Sequence, residues 1–267
     1  MSLPLVLLHA LPLDSSLWDG TARVLRAGGR RVLTPDLCGF GAAPLPHGSP
    51  PSLDAVADGL ARELDRQGIG ELALAGCSMG GYVAMAFLRR HPDRVRALAL
   101  LAARGTADSD EAAGRRLRFA DAVLDDSARA GLVAATTPSL LGATTRARRP
   151  HLTARVTGLA LAARPRSVAW AQRAIAARTD STAALRTADV PAVVVIGAED
   201  ELVSLDEACR TAEALPRGRL VVLPGVGHLA PLEAPEATAE ILAGLLAAAR
   251  TTGAQALVRA EAQAAAC

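Results

Sequence analysis

A chain of 267 residues is long enough for one α/β domain with an insertion and a sizeable buried core. Half of it is apolar, which excludes a chain too polar to fold, and a net charge of +2 argues against a nucleic-acid partner. Aromatic residues make up only 2%, so the core has to be built from Ala, Val and Leu.

All 29 basic residues are arginine, a composition bias rather than a functional signal. Their distribution is uneven. Between Arg104 and Arg186 there are 14 Arg against 7 acidic residues, a surplus of seven, and the rest of the chain carries 15 Arg against 20 acids. A solvated helical surface accounts for this, and so does attraction of an anionic substrate or an acidic carrier. Charge reversal at Arg146, Arg148 and Arg149 is the natural test. The four cysteines (Cys38, Cys77, Cys209, Cys267) have neither metal-ligand spacing nor a CxxC pair, as expected of free thiols in a reducing compartment. The apolar start, Leu3 to Leu13, lacks a basic leader and is interrupted by Pro4, His9 and Pro12, unlike a signal peptide. No apolar run reaches the roughly 18 residues of a membrane span. The expectation is a cytoplasmic protein with no membrane partner.

In chain order, Leu3–His9 reads as a buried strand, followed by a helix over Ser16–Ala27 and a strand over Arg31–Pro35. A loop rich in Gly and Pro leads to a helix over Ser52–Gln67, with Ser52 as its cap. The strand Glu71–Cys77 runs directly into a helix over Met79–Arg90, and Val95–Ala102 is the next strand. The strand rhythm then stops for about 85 residues. Asp108–Arg129, Ala130–Leu141, Thr144–Ala163 and Pro165–Ala177 have helical periodicity instead. It resumes with the strand Pro191–Gly197, a helix near Ser204–Leu215, the strand Leu220–Pro224 and a helix over Ala234–Ala249. This is a parallel sheet interrupted by a helical insertion. The expected division is a core of 1–103 and 187–250, a lid of 104–186, and an Ala-rich tail of 251–267 that is either a frayed helix or disordered.

The strongest chemical signal is Gly76-Cys77-Ser78-Met79-Gly80-Gly81, a G-x-S-x-G at a strand-to-helix junction. Glycines two residues to either side keep side chains out of a sharp turn and leave the Ser78 hydroxyl exposed at a helix N-terminus. A serine hydroxyl needs a base to take its proton. His228, in the Gly-rich loop after the last strand, is better placed than His9, His47, His91 or His151. The acid that holds the imidazole is Asp200, after Pro191–Gly197, with Glu199 its competitor one residue short. Cys77, beside the serine, reads as a small packing residue. Phe119, Leu140 and Trp170 are candidate pocket residues.

On these residues the sequence resembles the α/β-hydrolase family, whose chain order is serine, acid, histidine, as in Ser78, Asp200 and His228. The similarity covers Leu3–Ala103 and Thr187–Ala249. The style of GCSMGGYVAMAFLRRHPDRV and PGVGHLAPLEAPE is most like the 3-oxoadipate enol-lactonase and small carboxylesterase group. The resemblance implies an oxyanion hole made by the backbone N–H groups of Met79 and Leu11. Ala10 stands where the family usually has glycine. It also implies six parallel strands, since only two residues precede Leu3 and the family's leading antiparallel pair has no counterpart there.

The chemistry so implied is cleavage of a carboxylic ester, thioester or lactone through an acyl-enzyme, with no metal and no organic cofactor. The partner is a small acyl or lactone substrate, anionic or carrier-bound if the basic insertion has a role. An acyltransferase or lyase reusing the same groups, and a non-enzymatic small-molecule receptor, are the competing readings. An epoxide hydrolase or dehalogenase is disfavoured, because such relatives place Asp where Ser78 stands.

Overall fold

The strands Leu5–Leu8, Leu72–Cys77 and Ala192–Gly197 are fully buried apolar runs, of the kind needed by a sheet covered on both faces, whereas the edge strand Gly218–Leu223 is partly exposed. The structure, a computed structural model, describes residues 3–45, 48 and 50–264. Its strands are β1 (Leu5–Leu8), β2 (Val32–Leu33), β3 (Leu72–Cys77), β4 (Val95–Leu101), β5 (Ala192–Gly197) and β6 (Gly218–Leu223). All pair in parallel, in the order β2-β1-β3-β4-β5-β6. The expected six-stranded parallel sheet is therefore present.

Side chains alternate across the sheet, so successive residues enter two different cores. Val6, Leu8, Leu74, Leu98, Val194 and Ile196 pack beneath α2 (Leu53–Arg66) and α3 (Met79–Arg90). Leu5, Leu7, Ala73, Ala99, Val193 and Val195 face the other way, toward α1 (Asp19–Ala27) and the last helix. Small alanines in the central strands let helices approach closely, which is how a chain with so few aromatics fills its interior. Ser52 caps α2 by accepting the Ala55 N–H at 3.2 Å, as expected.

Between β4 and β5 lie α4 (Asp110–Ala122), α5 (Asp126–Thr136), α6 (Ala143–Arg148), α7 (Pro150–Ala162), α8 (Pro165–Ala176) and α9 (Thr182–Thr187). The expected single helix over Asp108–Arg129 is two helices. Asp125 adopts extended backbone and accepts the Ser127 N–H at 2.9 Å, which starts α5 afresh. Thr144–Ala163 is likewise divided at Pro150, which has no N–H to continue a helix and pushes Arg149 to φ −136°, ψ 61°. The short α9 escapes a periodicity reading because it offers less than two turns.

The chain continues through α10 (Leu205–Glu213), α11 (Ala230–Glu233) and α12 (Pro235–Ala264). The last helix extends past Ala249 into the Ala-rich stretch, and the end of that stretch, 265–267, lies outside the described residues. No helix among the described residues is long and apolar enough to cross a membrane.

The strand order has one functional consequence. The chain leaves β1 toward β2 on one side and returns to β3 on the other, so the connections after β1 and β3 part from each other. A crevice at the carboxyl ends of the strands opens at such a switch point. Leu11 follows β1 and Ser78 follows β3, one on each side of it.

Candidate active site

Ser78 sits between a strand and a helix that are both buried, yet is itself partly exposed. Its backbone lies at φ 52°, ψ −113°, a region that L-residues rarely occupy and that persists only when the surroundings enforce it. Those surroundings are backbone against backbone. A Cβ on Gly76 would lie 2.1 Å from the Gly80 carbonyl oxygen, and one on Gly80 would lie 2.2 Å from that of Leu8. Only glycine fits at either place. The turn is pinned further by the Ser78 N–H, which donates to the Leu101 carbonyl at 2.8 Å.

His228 and Asp200 come together from the loops after β6 and β5. The His228 Nδ1–H donates to the Asp200 carboxylate, 2.9 Å from Oδ2 and 3.0 Å from Oδ1. Both side chains are sealed from solvent, with 3% and 1% exposed. Asp200 Oδ1 also accepts the N–H groups of Leu202 at 2.8 Å and Val203 at 3.1 Å, so the carboxylate is fixed before it meets the imidazole. With Nδ1 committed to Asp200, Nε2 is the nitrogen left for the cavity that His228 shares with Ser78.

The other histidines are occupied elsewhere. His9 is buried beneath the loops, accepts the Leu37 N–H on Nε2 at 2.9 Å, and directs Nδ1 at the Ala10 carbonyl. Burial holds its pKa below the ordinary value, so it stays neutral. His91 lies 3.0 Å from Asp58, His151 is exposed on α7, and His47 lies outside the described residues. Glu199 is not the partner of His228. Its carboxylate accepts both the N–H and the hydroxyl of Thr144, at 2.7 and 2.6 Å, which holds it below the usual carboxylate range.

Neither the Leu11 N–H nor the Met79 N–H has an acceptor among the described residues, and Met79 opens α3, where helix N–H groups are left over. Leu11, Ser78 and His228 line one cavity of about 370 Å³, together with Phe119 and Leu140. Trp170 does not line it. On α8 the inward stripe is Val168, Gln172 and Ile175, and position 170 lies about 160° round the helix from it, within the core beneath. Cys77 is fully buried, and burial raises its thiol well above the ordinary cysteine range. It donates to the His228 carbonyl at 3.6 Å, which suits a packing residue.

A family model described as "alpha/beta hydrolase fold" matches residues 4–235. The chain belongs to the α/β-hydrolase family. It is 32% identical to a pimeloyl-[acyl-carrier protein] methyl ester esterase from Aromatoleum aromaticum, over 89% of this chain and 96% of that one. A 2-hydroxymuconate semialdehyde hydrolase from Pseudomonas sp. (strain CF600) is 28% identical, over 91% and 87% of the two chains. Among solved structures, a thermophilic esterase from Thermogutta terrifontis, with malate bound, superposes with a TM-score of 0.88 at 33% identity, covering 93% of this chain and 91% of that one. The chain is thus an enzyme of the α/β-hydrolase kind, with hydrolases and esterases as its relatives.

Within this α/β-hydrolase two features went unread in the sequence. Glu233, five residues after His228, is buried and accepts the N–H groups on both sides of the histidine, Gly227 and Leu229, each at 3.1 Å. It also accepts the Gly142 N–H from the insertion at 2.9 Å. A lone carboxylate in the otherwise apolar run Leu229–Ala234 is the one signal that could have pointed to it. Glu233→Ala should destabilise the protein by about 2–4 kcal/mol, because three buried N–H groups lose their acceptor together. Urea unfolding measures this, and a loss under about 1 kcal/mol would show that those groups find other partners.

The second feature is where the arginines point. Arg146 is bound to Glu201 and to the Pro138 and Leu141 carbonyls, and Arg149 to the Glu233 carbonyl, so these two hold the insertion in place. Arg148 is exposed on α6, outside the cavity. The arginines that line the cavity are Arg104, Arg115, Arg116 and Arg129. Behind them Asp108, its side chain fully buried, joins Arg104, Arg116 and Arg178. Burial alone would raise the Asp108 pKa. The bonds from Arg178 and the charge of Arg116 outweigh it and hold the carboxyl at about 2.

Proposed function

We propose that this enzyme cleaves carboxylic esters, thioesters or lactones with Ser78 as nucleophile, His228 as general base and acid, and Asp200 as the group that orients His228. The observation that carries the reading is the sealed Asp200–His228 pair sharing a cavity with a serine held in strained geometry at a helix N-terminus. The esterase relatives support a hydrolase, and we place it, working without a cofactor, in the cytoplasm, where the thiols of Cys38, Cys77 and Cys209 would stay reduced.

His228 Nε2 takes the Ser78 proton as Oγ attacks the carbonyl carbon and the C=O pair moves onto oxygen. The N–H groups of Leu11 and Met79, free of other acceptors, receive that oxyanion, typically the largest single contribution to such a reaction. When the C–O or C–S bond breaks, the imidazolium returns its proton to the leaving group. Water then repeats the sequence on the acyl-enzyme, and the acid departs. The insertion of 104–186 acts as a lid, since α4, α5, α7 and α8 all contribute to the cavity wall.

Intact-mass analysis after fluorophosphonate treatment tests the reading. One adduct per chain is expected, with release of acid from activated esters in water alone. A folded chain that takes no adduct, or that turns over only when an alcohol or amine acceptor is supplied, would count against hydrolysis.

A further inference from the structure

We propose that the wall formed by α4 and α5 is a subsite for an anionic group at one end of the substrate, with Arg129 as its principal cation. The inference rests on the reading of Ser78 above and names the substrate class of that site: an acyl chain with an apolar middle that ends in a carboxylate. Each helix turns one stripe inward. On α5 it is Arg129, Val133 and Thr136, and on α4 it includes Arg115, Arg116 and Phe119, spaced as one helical face. A stripe that closes over an apolar cavity is ordinarily apolar, and a cation placed there calls for a counter-charge.

The counter-charges are too few. Arg104, Arg116 and Arg178 share Asp108, and Arg104 also reaches Glu207 at 3.1 Å. Among the described residues Arg115 meets one carboxylate, Glu111, in a pair whose side chains are 59% and 82% exposed, so the attraction is weak. Arg129 is half-buried and has no carboxylate within 4.0 Å among the described residues. Among the described residues, five guanidiniums thus stand against three carboxylates, and no acidic side chain lines the cavity. A carboxylate entering it fills the deficit. Thr136, Ser139 and Gln172 add hydrogen-bonding groups, while Phe119, Val133 and Leu140 suit the methylenes between the two ends.

Two substrates that differ only at the far end test the proposal: mono-4-nitrophenyl adipate and 4-nitrophenyl hexanoate. The wild-type protein should favour the adipate half-ester by about tenfold or more in kcat/KM at low ionic strength, and less as salt is added. Arg129→Gln should cut that ratio about tenfold, chiefly through KM, whereas Arg148→Gln, which removes the same charge outside the cavity, should leave it in place. Adipate itself should raise the Tm of the wild type and not of Arg129→Gln. A hexanoate chain ending in phosphate separates the two sources of an anion. Preference for phosphate over carboxylate would overturn the carboxylate assignment.

Equal rates on both nitrophenyl esters would overturn the subsite and leave the reading of Ser78 standing. An equal fall in both variants would overturn it too, by tracing the preference to the general field of the basic insertion. No turnover of either ester, together with no fluorophosphonate adduct, would overturn the reading of Ser78 and the inference with it.

Discussion

Ser78→Ala is expected to lose the fluorophosphonate adduct altogether and to lower kcat by about 10³- to 10⁶-fold, while the Tm stays within a few degrees of wild type. The loss is large because the serine oxygen is the atom to which the acyl group would be joined, and Ala offers nothing in its place. What activity remains would come from the free N–H groups of Leu11 and Met79 stabilising the oxyanion as water attacks the carbonyl directly. The fold should barely notice. The Ser78 hydroxyl donates to no group among the described residues, and the turn around it is enforced by Gly76, Gly80 and the Ser78 N–H rather than by the side chain. Steady-state kinetics on a nitrophenyl ester and a thermal melt on the same sample separate the two effects. Activity within tenfold of wild type would rule Ser78 out as the nucleophile.

The parts of this molecule legible in the sequence are those set by one chain segment at a time. The strand-turn-helix at Ser78 was readable because Gly76 and Gly80 are required by backbone contacts within that turn and against the adjacent strand. The pairing of Asp200 with His228 was readable because both lie just past strand ends, and parallel strands carry such loops to one edge of the sheet. Glu233 was not, because its role exists only where three separate backbones meet: Gly227, Leu229 and Gly142. The basic surplus of the insertion could be counted, but not aimed. Arg146 and Arg149 turned out to bind carbonyls and Glu201, and Arg129 to face the cavity, because helix rotation depends on packing that no local pattern records. Trp170 failed for the same reason. It is apolar and well placed in the chain, but on the face of α8 that points away from the cavity.

Asp200→Asn carries the second large effect, an expected fall in kcat of about 10³- to 10⁴-fold with the fold retained. The side chain can enter its site in two ways. With its oxygen left under the Leu202 and Val203 N–H groups, where Oδ1 sits now, its amide NH2 faces His228 Nδ1. A donor there forces Nδ1 to accept, and the ring proton moves to Nε2, the nitrogen that would have to take the Ser78 proton. The opposite placement sets the NH2 against two backbone N–H groups in a site 1% exposed, which leaves donors facing donors. The first arrangement is therefore the one expected, and it would disable the proposed base without emptying the site. Fluorophosphonate labelling should become slow rather than absent, which distinguishes this variant from Ser78→Ala. Glu199 cannot take over, because Thr144 already holds both of its oxygens. A fall of tenfold or less would mean that the His228 loop, clasped by Glu233, orients the imidazole well enough without an acid.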